Sequence, residues 1–488
     1  MINNAKVLFV AVNAKYVHTN IAVRYLTEYC SRKGADCNFG EFTINEPKER
    51  VLEKLYMSDC DVYGFSCYIW NREYVLYLCK NLKKLLPDCK IFLGGPEVSF
   101  DAEEILAENE FIDYVVCGEG EKSVLRLIEN LPDERCIFEP DAVKSLDELP
   151  FPYTDDDLKN IVAGEKLVYY ETSRGCPFNC SYCLSSVDKG VRFLPIERVK
   201  SEIKKMVDAG AMTIKFVDRT FNADKKRAME IWEYCLSLDG ETCFHFEIGA
   251  DLLDDECVQI LDRAQEGKIQ FEIGVQTTNE KTISAVSRTM NLEKLKQNVI
   301  SLGEKNKIHL HLDLIAGLPF EDYNSFARSF NEVYGLKPHV LQLGFLKLLK
   351  GSELRRRAEE FEIQYNSYPP YEVFSTKWLS YRDVIKLKAI EDVLERYYNS
   401  GRFKHTIETV LQFFNSPFEF YERFSEFWAE KELIGQGVKR ITLYNLLYEF
   451  LRENFDEKVV GVVASEMKKD FAKWHSNGVG TPEWYKKH

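Results

Sequence analysis

Two long stretches of this chain alternate short apolar runs with segments in which apolar residues recur at helical spacing. The first stretch predicts β-strands at residues 6–12, 37–44, 61–69, 90–96 and 114–120. The second stretch predicts strands at residues 167–173, 213–219, 243–249, 269–275, 309–315 and 340–346. Strand–helix alternation of this kind is typical of parallel sheets that carry helices on both faces. The sequence therefore predicts an α/β protein with two such sheets.

The pattern along the sequence predicts that the chain has four regions. Residues 1–135 predict a flavodoxin-like open sheet, in which a ligand binds in the crevice at the carboxyl ends of the strands. Residues 136–165 contain three prolines and an acidic run, and are predicted to be a linker. Six βα units over residues 166–365 predict a partial (βα)6 barrel of the TIM type, whose chemistry would lie at the carboxyl ends of the strands. Residues 366–488 show helical patterns without strands and predict an all-helical domain.

The composition argues against several classes of partner. The net charge of −14 makes a nucleic acid a poor partner, because nucleic acids are polyanions. No apolar run is long enough to span a bilayer, and the N-terminal residues do not resemble a signal peptide. We therefore expect a cytoplasmic protein with no membrane partner. In that compartment the 14 cysteines are expected to be reduced thiols, so that a compact group of them indicates a metal site.

One such group follows the first strand of the predicted barrel. Cys176, Cys180 and Cys183 are separated by three and then two residues. Three thiolates on one loop can bind three irons of a [4Fe–4S] cubane, which leaves the fourth iron open to a substrate. The competing interpretations are a zinc knuckle or buried structural thiols. Structural zinc needs four ligands, and no Cys or His follows closely after Cys183, so the sequence favours the cluster.

The motif Cys-x3-Cys-x2-Cys, with Tyr182 before the last cysteine and a (βα)6 barrel behind it, resembles the radical S-adenosylmethionine (SAM) superfamily. The resemblance implies that the open iron binds SAM, which is cleaved to methionine and a 5′-deoxyadenosyl radical. It also implies SAM contacts at the ends of successive strands. Asp218 would meet the SAM ammonium, although Asp stands where the family usually has Gly-Gly-Glu. The full set of SAM-binding residues implied in this way is Tyr182, Asp218, Glu247, Gln276, Arg288, Ile315 and Gly317.

The first sheet is similar to cobalamin-binding domains, since Ser-Cys-Tyr at 66–68 and Gly-Gly at 94–95 follow its third and fourth strands. Families that ligate cobalt through histidine carry Asp-x-His-x-x-Gly, whereas this chain reads Tyr-Val-His-Thr-Asn-Ile at 16–21. The resemblance therefore implies base-off cobalamin without a histidine ligand, and we interpret His18 as a local contact. The implied cobalamin-binding residues are Asn13, His18, Ser66, Tyr68, Gly94, Gly95, Glu97, Gly118, Glu119 and Gly120.

Together the two resemblances imply a cobalamin-dependent radical SAM enzyme of the class B methyltransferase type. Such an enzyme would methylate an unactivated carbon of a small molecule or peptide through methylcobalamin and a 5′-deoxyadenosyl radical. It would work anaerobically with an electron donor such as flavodoxin or ferredoxin, and no side chain is assigned as catalytic. Three alternatives stay open: ring contraction or cyclisation without methyl transfer, an RNA methylthiotransferase, and a non-catalytic cofactor-binding regulator.

Overall fold

The computed structural model describes residues 5–187, 190–474, 482 and 484–485. The chain divides into two compact units. The first unit consists of Met1–Gln270, Leu348–Arg356 and Asn366–Tyr371, and the second of Phe271–Lys347, Arg357–Tyr365 and Glu372–His488. Within the described part of the chain, no helix combines the length and the apolar character that crossing a membrane would need.

A parallel sheet of six strands forms the first part of the first unit. Its strands are β1 Lys6–Asn13, β2 Asp36–Thr43, β3 Val62–Ser66, β4 Lys90–Gly94, β5 Tyr114–Val116 and β6 Cys136–Phe138. The helices between them are α1 Ile21–Arg32, α2 Lys48–Tyr56, α3 Arg72–Leu85, α4 Ala102–Glu108 and α5 Gly120–Asn130. The strand order β2-β1-β3-β4-β5-β6 begins with the flavodoxin-like order, so the predicted fold class is confirmed. Every residue of β1 after Lys6 is buried, as expected for a central strand with helices on both faces.

The structure differs from the sequence prediction in the segment 136–165. We expected five strands and a linker, but β6 pairs in parallel with β5 and adds a sixth strand. The segment then forms a helix, α6 Asp155–Ala163, which Thr154 caps by accepting a hydrogen bond from the backbone of Asp157. The prediction of five strands was therefore wrong by one.

The second sheet contains all six strands that the sequence predicts. The strands of this region are β7 Val168–Tyr170, β8 Ser173–Cys176, β9 Gly190–Phe193, β10 Thr213–Phe216, β11 Cys243–Ile248, β12 Ile269–Gln276, β13 His309–Ala316 and β14 Val340–Phe345. The sheet order is β14-β13-β12-β11-β10-β7, and β8 and β9 form a separate antiparallel hairpin that the sequence did not predict. The helices are α7 Ile196–Asp208, α8 Lys225–Ser237, α9 Asp255–Leu261, α10 Glu280–Ala285, α11 Leu292–Glu304 and α12 Tyr323–Gly335. Alternate residues of β12 and β13 are buried, as expected for strands with one fully covered face.

The last part of the chain is helical, as predicted, apart from a short antiparallel pair of strands. The elements are α13 Glu353–Arg356, β15 Gln364–Tyr365, β16 Val373–Ser375, α14 Tyr381–Leu394, α15 Lys404–Val410, α16 Pro417–Glu430, α17 Arg440–Asn454 and α18 Glu457–Trp474. Trp428 of α16 is fully buried, and Tyr397 packs edge-on against Phe424 with ring centroids 4.9 Å apart. These aromatic residues form the core of the helical part.

Candidate active site

The three cysteines lie on one loop, which a β-hairpin closes. Cys176 is the last residue of β8 and pairs with Gly190, the first residue of β9. The backbone N–H of Cys183 donates to the carbonyl of Cys180 at 3.0 Å. Cys180 is buried, and the other two cysteines are half-buried. The motif therefore folds as a single compact loop in the first unit.

Gly175 allows the two strands of this hairpin to approach. Its φ is +102°, and a Cβ atom at this position would lie 2.1 Å from the carbonyl oxygen of Gly190. No side chain fits at that distance, and the positive φ itself favours glycine. The glycine before the first cysteine therefore fixes how closely Cys176 approaches β9.

The donor set of this loop fits a [4Fe–4S] cluster. All 14 cysteines of the chain are reduced thiols, so no disulfide competes for the three sulfurs. Across the residues that the structure describes, no three His, Cys, Asp or Glu side chains surround the position of a single metal ion. In a cubane each thiolate binds a different iron, so the three sulfurs need not surround one ion. Three thiols on one loop thus match a cluster with one open iron.

Asp218 supports the strand that leads into the cysteine loop. Its carboxylate accepts hydrogen bonds from the backbone N–H of Thr172 at 2.9 Å and from the hydroxyls of Thr172 and Ser173 at 2.6 Å each. Burial raises the pKa of Asp218, although the bonds from Ser173 and Thr172 act in the opposite direction. The side chain is 1% exposed, so its role in the structure is to hold residues 172–173. Its contact with SAM stays a prediction.

The other predicted SAM contacts of the first unit lie at strand or loop ends. Glu247 is half-buried and stands one residue before the end of β11. Tyr182 is half-buried beside Cys183, and the preceding Ser181 accepts a hydrogen bond from the backbone N–H of Leu354 at 2.8 Å through its carbonyl. The segment around Leu354 therefore helps to hold the cysteine loop, which sequence reasoning missed.

In the second unit, the structure brings Gln276 and Arg288 together over Gly274. A Cβ atom on Gly274 would lie 2.3 Å from Nε2 of Gln276 and 3.7 Å from a guanidinium nitrogen of Arg288. The guanidinium of Arg288 also donates to the carbonyl of Gly274. Within the described structure, Oε1 of Gln276 is buried without a hydrogen-bond partner. An orphaned buried acceptor of this kind fits a residue that awaits a ligand.

Ile315 and Gly317 lie at the end of β13 in the same unit. Ile315 is half-buried, and Gly317 has a φ of +92°. A Cβ atom on Gly317 would lie 2.7 Å from a methyl carbon of Val373. The backbone here is therefore tightly packed against Val373, and the contact of these two residues with SAM stays a prediction.

The first predicted cobalamin loop is held by internal hydrogen bonds. The Asn13 amide donates to the carbonyl of His18 at 3.1 Å and to the carboxylate of Glu41 at 3.2 Å. Nδ1 of His18 is hydrogen-bonded to the Tyr169 hydroxyl at 2.6 Å. Burial lowers the pKa of His18, and Lys15 and Lys215 lower it further. A partner on Nδ1 is also what a metal-bound imidazole has, so the role of His18 toward cobalt stays a prediction.

Small side chains and an aromatic stack follow β3. The Ser66 hydroxyl donates to the carbonyl of Val10 and accepts from the Asn20 amide, both at 3.4 Å. The Tyr68 ring stacks on Trp70 with centroids 4.4 Å apart and an interplanar angle of 5°. Trp70 is 44% exposed, so this stack offers an open apolar surface at the carboxyl edge of the first sheet.

The Gly-Gly turn after β4 also lies at this edge. Gly95 has a φ of +108°, and its Cβ atom would meet the carbonyl oxygen of Cys67 at 2.6 Å. At Gly94 the nearest atom to such a Cβ is the carbonyl oxygen of Val116, at 3.7 Å. Gly94 thus leaves room above the backbone, which fits a cradle for a long ligand. Glu97, in contrast, is 2% exposed and accepts a hydrogen bond from Arg72 at 3.3 Å and another from the Tyr371 hydroxyl.

The turn after β5 joins the first sheet to the cysteine hairpin through a group of charges. Gly118 has a φ of +68°, and Gly120 begins α5. The guanidinium of Arg174, in β8, lies 3.0 Å from Glu119, 2.8 Å from Glu121 and 2.9 Å from Glu171. Arg192, in β9, contacts Glu119 as well, at 3.2 Å through one of its nitrogens.

We call these five residues, Glu119, Glu121, Glu171, Arg174 and Arg192, the Arg174 cluster. Burial alone would raise the pKa of Glu119, but Arg192 and Arg174 together hold it below its ordinary value. Sequence reasoning named only Glu119 of this set. The signal that was available is the acidic pair around Gly120 together with an arginine two residues before the first cysteine.

Three family models match consecutive parts of the chain. The B12 binding domain matches residues 7–128, and the Radical SAM superfamily matches residues 170–333. A protein family of unknown function, DUF4080, matches residues 359–488. The first two models cover the two parallel sheets, and the third covers the helical part.

Curated relatives resemble this chain at low identity. The hopanoid C-3 methylase of Methylococcus capsulatus is 29% identical over 253 residues, which are 48% of this chain and 48% of the relative. The cobalamin-dependent radical SAM methyltransferase TokK of Streptomyces tokunonensis is 24% identical over 384 residues, 70% of this chain and 55% of TokK. The chain therefore spans about half the length of these curated relatives.

A solved structure shares the fold over most of the chain. The cobalamin-dependent S-adenosylmethionine radical enzyme OxsB, solved with aqua-cobalamin and S-adenosylmethionine bound, aligns with a TM-score of 0.66 and 14% identity. The alignment covers 96% of this chain and 84% of OxsB. At this identity the likeness describes the fold.

Proposed function

We propose that this chain, which combines a B12-binding domain with a radical SAM domain, is a cobalamin-dependent methyltransferase that acts on an unactivated carbon of a small molecule or peptide. The Arg174 cluster is the observation that carries this proposal. It ties the hairpin that bears Cys176 to Glu119 and Glu121, at the carboxyl edge of the first sheet. The predicted cluster loop and the predicted corrinoid crevice therefore belong to one buried ion-pair network.

The residues of the chain hold and orient the reacting groups. In this proposal Cys176, Cys180 and Cys183 hold the cluster, while Gln276 and Arg288 orient SAM by amide and guanidinium hydrogen bonds. When bound, the cluster with SAM supplies a radical that abstracts hydrogen, and the corrinoid supplies the methyl group. The buried carboxylate of Asp218 holds the strand that leads into the cysteine loop through its bonds with Thr172 and Ser173.

The same proposal has cobalamin bound base-off and without histidine ligation. The sequence at residues 16–21 supports this, because it lacks the Asp-x-His-x-x-Gly pattern that supplies the ligating histidine and its carboxylate partner in families that use one. The open stack of Tyr68 on Trp70 is an apolar surface rather than a metal ligand. The electron donor in this scheme is a small redox protein such as flavodoxin or ferredoxin.

The test uses the full chain, reconstituted anaerobically with iron, sulfide and a corrinoid. With a reductant and SAM that carries a deuterated methyl group, we expect 5′-deoxyadenosine and a product that has gained one labelled methyl group. The protein should contain about four irons per chain. Cys180→Ala should lose iron and 5′-deoxyadenosine formation, whereas Cys136→Ala, a half-buried cysteine outside the loop, should keep both.

The products also separate the alternatives. 5′-Deoxyadenosine with a rearranged or cyclised but unmethylated product would favour ring contraction or cyclisation. Gain of sulfur together with a methyl group on RNA would favour a methylthiotransferase. A protein that binds both cofactors but forms no 5′-deoxyadenosine would be a non-catalytic regulator.

A further inference from the structure

Two loops of the second unit each hold one non-glycine residue in a left-handed backbone conformation. Gln276, the last residue of β12, has a φ of +72°, and Phe320, between β13 and α12, has a φ of +64°. A side chain in this region clashes with its own backbone, so such residues persist only where the surrounding contacts hold them. Each of the two positions therefore needs a partner that fixes it.

The residues directly after Gln276 and Phe320 are bound to each other. Thr277 follows Gln276, and its hydroxyl donates to Oε1 of Glu321, which follows Phe320, at 2.7 Å. Ser329 of α12 donates to the same oxygen at 2.9 Å. Thr277 and Glu321 are 0% and 1% exposed. One buried carboxyl oxygen thus ties both loops to one helix.

Asn279 adds a second link between the same loops. Its side-chain amide donates to the carbonyl of Phe320 at 3.0 Å, and its backbone N–H donates to the Thr277 hydroxyl at 3.0 Å. The segment directly after Gln276 is therefore held to Phe320 and Glu321 by two hydrogen bonds that run between the loops. Because Thr277 takes part in both links, its hydroxyl is the point through which Glu321 acts on Gln276.

Glu321 sits among hydroxyls rather than cations. The groups that face it are Thr277, from the loop after β12, and Ser329 of α12. The charged groups that act on it are the neighbouring Asp322 and Arg328 of α12. Burial raises the pKa of Glu321 to about 7. The neutral acid is the form that suits this site, because an ionised carboxylate without a bonded cation is costly to bury.

We propose that Glu321 is a positioning residue, which holds Gln276 in its left-handed conformation and thereby aims the Gln276 amide at SAM. This inference rests on the proposed function, since it uses the predicted contact between Gln276 and SAM. The orphaned, buried Oε1 of Gln276 supports it, because that atom can accept a hydrogen bond only from a group that arrives with a ligand or moves.

The experiment compares Glu321→Leu and Glu321→Gln with Glu332→Gln, a matched change at a more exposed position of α12. Two quantities are measured without corrinoid or substrate. The first is the affinity of the cluster-loaded protein for SAM by equilibrium dialysis. The second is amide hydrogen exchange at residues 276–279 and 318–321 of the protein without SAM.

We expect Glu321→Leu to weaken SAM binding by about tenfold and to speed exchange in both loops. Glu321→Gln should resemble the wild type at pH 6.5, because an amide replaces a neutral carboxyl of the same shape. As pH rises to 8.5 the wild type should lose affinity relative to Glu321→Gln, since only the wild type becomes ionised there. Glu332→Gln should change neither quantity.

Unchanged SAM affinity in Glu321→Leu would overturn the proposal, and so would faster exchange without weaker binding. If Glu321→Leu does not fold, the proposal is tested with Thr277→Val, which removes the hydroxyl that donates to Glu321 and keeps nearly the same side-chain volume. This variant should weaken SAM binding and speed hydrogen exchange in both loops. Failure of the wild type to bind SAM would instead refute the proposed function. The exchange measurement would still report whether Glu321 holds the two loops.

Discussion

Replacing Arg174 by glutamine should destabilise the cysteine hairpin more than any change to the exposed charges around it. The Arg174 side chain is 16% exposed, and its partners Glu121 and Glu171 are 6% and 14% exposed. The Arg174→Gln variant keeps the hydrogen-bonding character of the side chain but leaves these two carboxylates without their guanidinium. Arg192 forms its ion pair with Glu119, so it does not replace Arg174 as the partner of Glu121 and Glu171.

The expected cost follows from the burial of the charges. Removing one partner of a buried ion pair costs about 3–5 kcal/mol, because the remaining charge stays buried without its counter-ion. Since Arg174 keeps some exposure, we expect the lower end, about 3 kcal/mol in the free energy that opens the hairpin. Arg192→Gln removes a side chain that is 31% exposed and should cost only about 1 kcal/mol.

Amide hydrogen exchange at β8 and β9 in the protein without cofactors measures this local opening directly. The double variant Arg174→Gln with Glu171→Gln should recover part of the loss, because it removes one of the isolated charges. The single variant should also be less impaired at pH 5.5 than at pH 8, because burial raises the pKa of Glu171 and the lost guanidinium no longer opposes this, so that Glu171 is more readily protonated. Exchange in Arg174→Gln at the wild-type rate, or an equal effect of Arg192→Gln, would refute the reasoning.

Three further predictions concern backbone space and a buried acid. Gly95→Ala should lower the melting temperature, because its Cβ would lie 2.6 Å from the Cys67 carbonyl oxygen and its φ is +108°. In Gly94→Ala the nearest atom to the new Cβ is 3.7 Å away, so this variant should fold normally yet bind corrinoid more weakly. Gly175→Ala should lose iron on reconstitution, since its Cβ would lie 2.1 Å from the Gly190 carbonyl. Gly190→Ala shares the strain of a positive φ, +91°, but meets no atom within 4 Å, so it should lose less iron. The pKa of Glu321 is raised from 4.5 to about 7, so its contribution to stability is fully present below pH 4.5 and is lost as pH rises through 7. Glu321→Gln should remove this pH dependence, about 3 kcal/mol at most, from the unfolding free energy measured between pH 5 and 8.

The apolar runs predicted every strand of the two sheets except Cys136–Phe138, although some of the predicted strands are shorter in the structure. The run at residues 6–12 corresponds to Lys6–Asn13, but the run at 114–120 shortens to Tyr114–Val116. Gly118 explains the difference, since its φ of +68° cannot continue a strand. The strand Cys136–Phe138 was missed because three residues between polar and proline-containing segments show no periodicity.

The cysteine loop could be predicted from spacing alone, whereas the support around it could not. The resemblance implied that Asp218 contacts SAM, and the structure adds that the hydroxyls of Thr172 and Ser173 donate to its carboxylate. Those partners are some 45 residues away along the chain. A local pattern contains no information on such a distant pairing, so the position of Asp218 was predictable and its bonding was not.

The left-handed conformations of Gln276 and Phe320 could not be predicted from the sequence either. Nothing in the local sequence marks Gln276 or Phe320 as strained, because neither is glycine or asparagine. The structure shows the sign one residue later, where a polar side chain is fully buried in the loop after each of two consecutive strands, Thr277 after β12 and Glu321 after β13. Buried polar groups must be hydrogen-bonded, and at the ends of neighbouring parallel strands the nearest partner is the other loop. The buried pair of Thr277 and Glu321 therefore indicates that the two loops are hydrogen-bonded to each other. Such bonds can hold the strained residue that precedes each member of the pair.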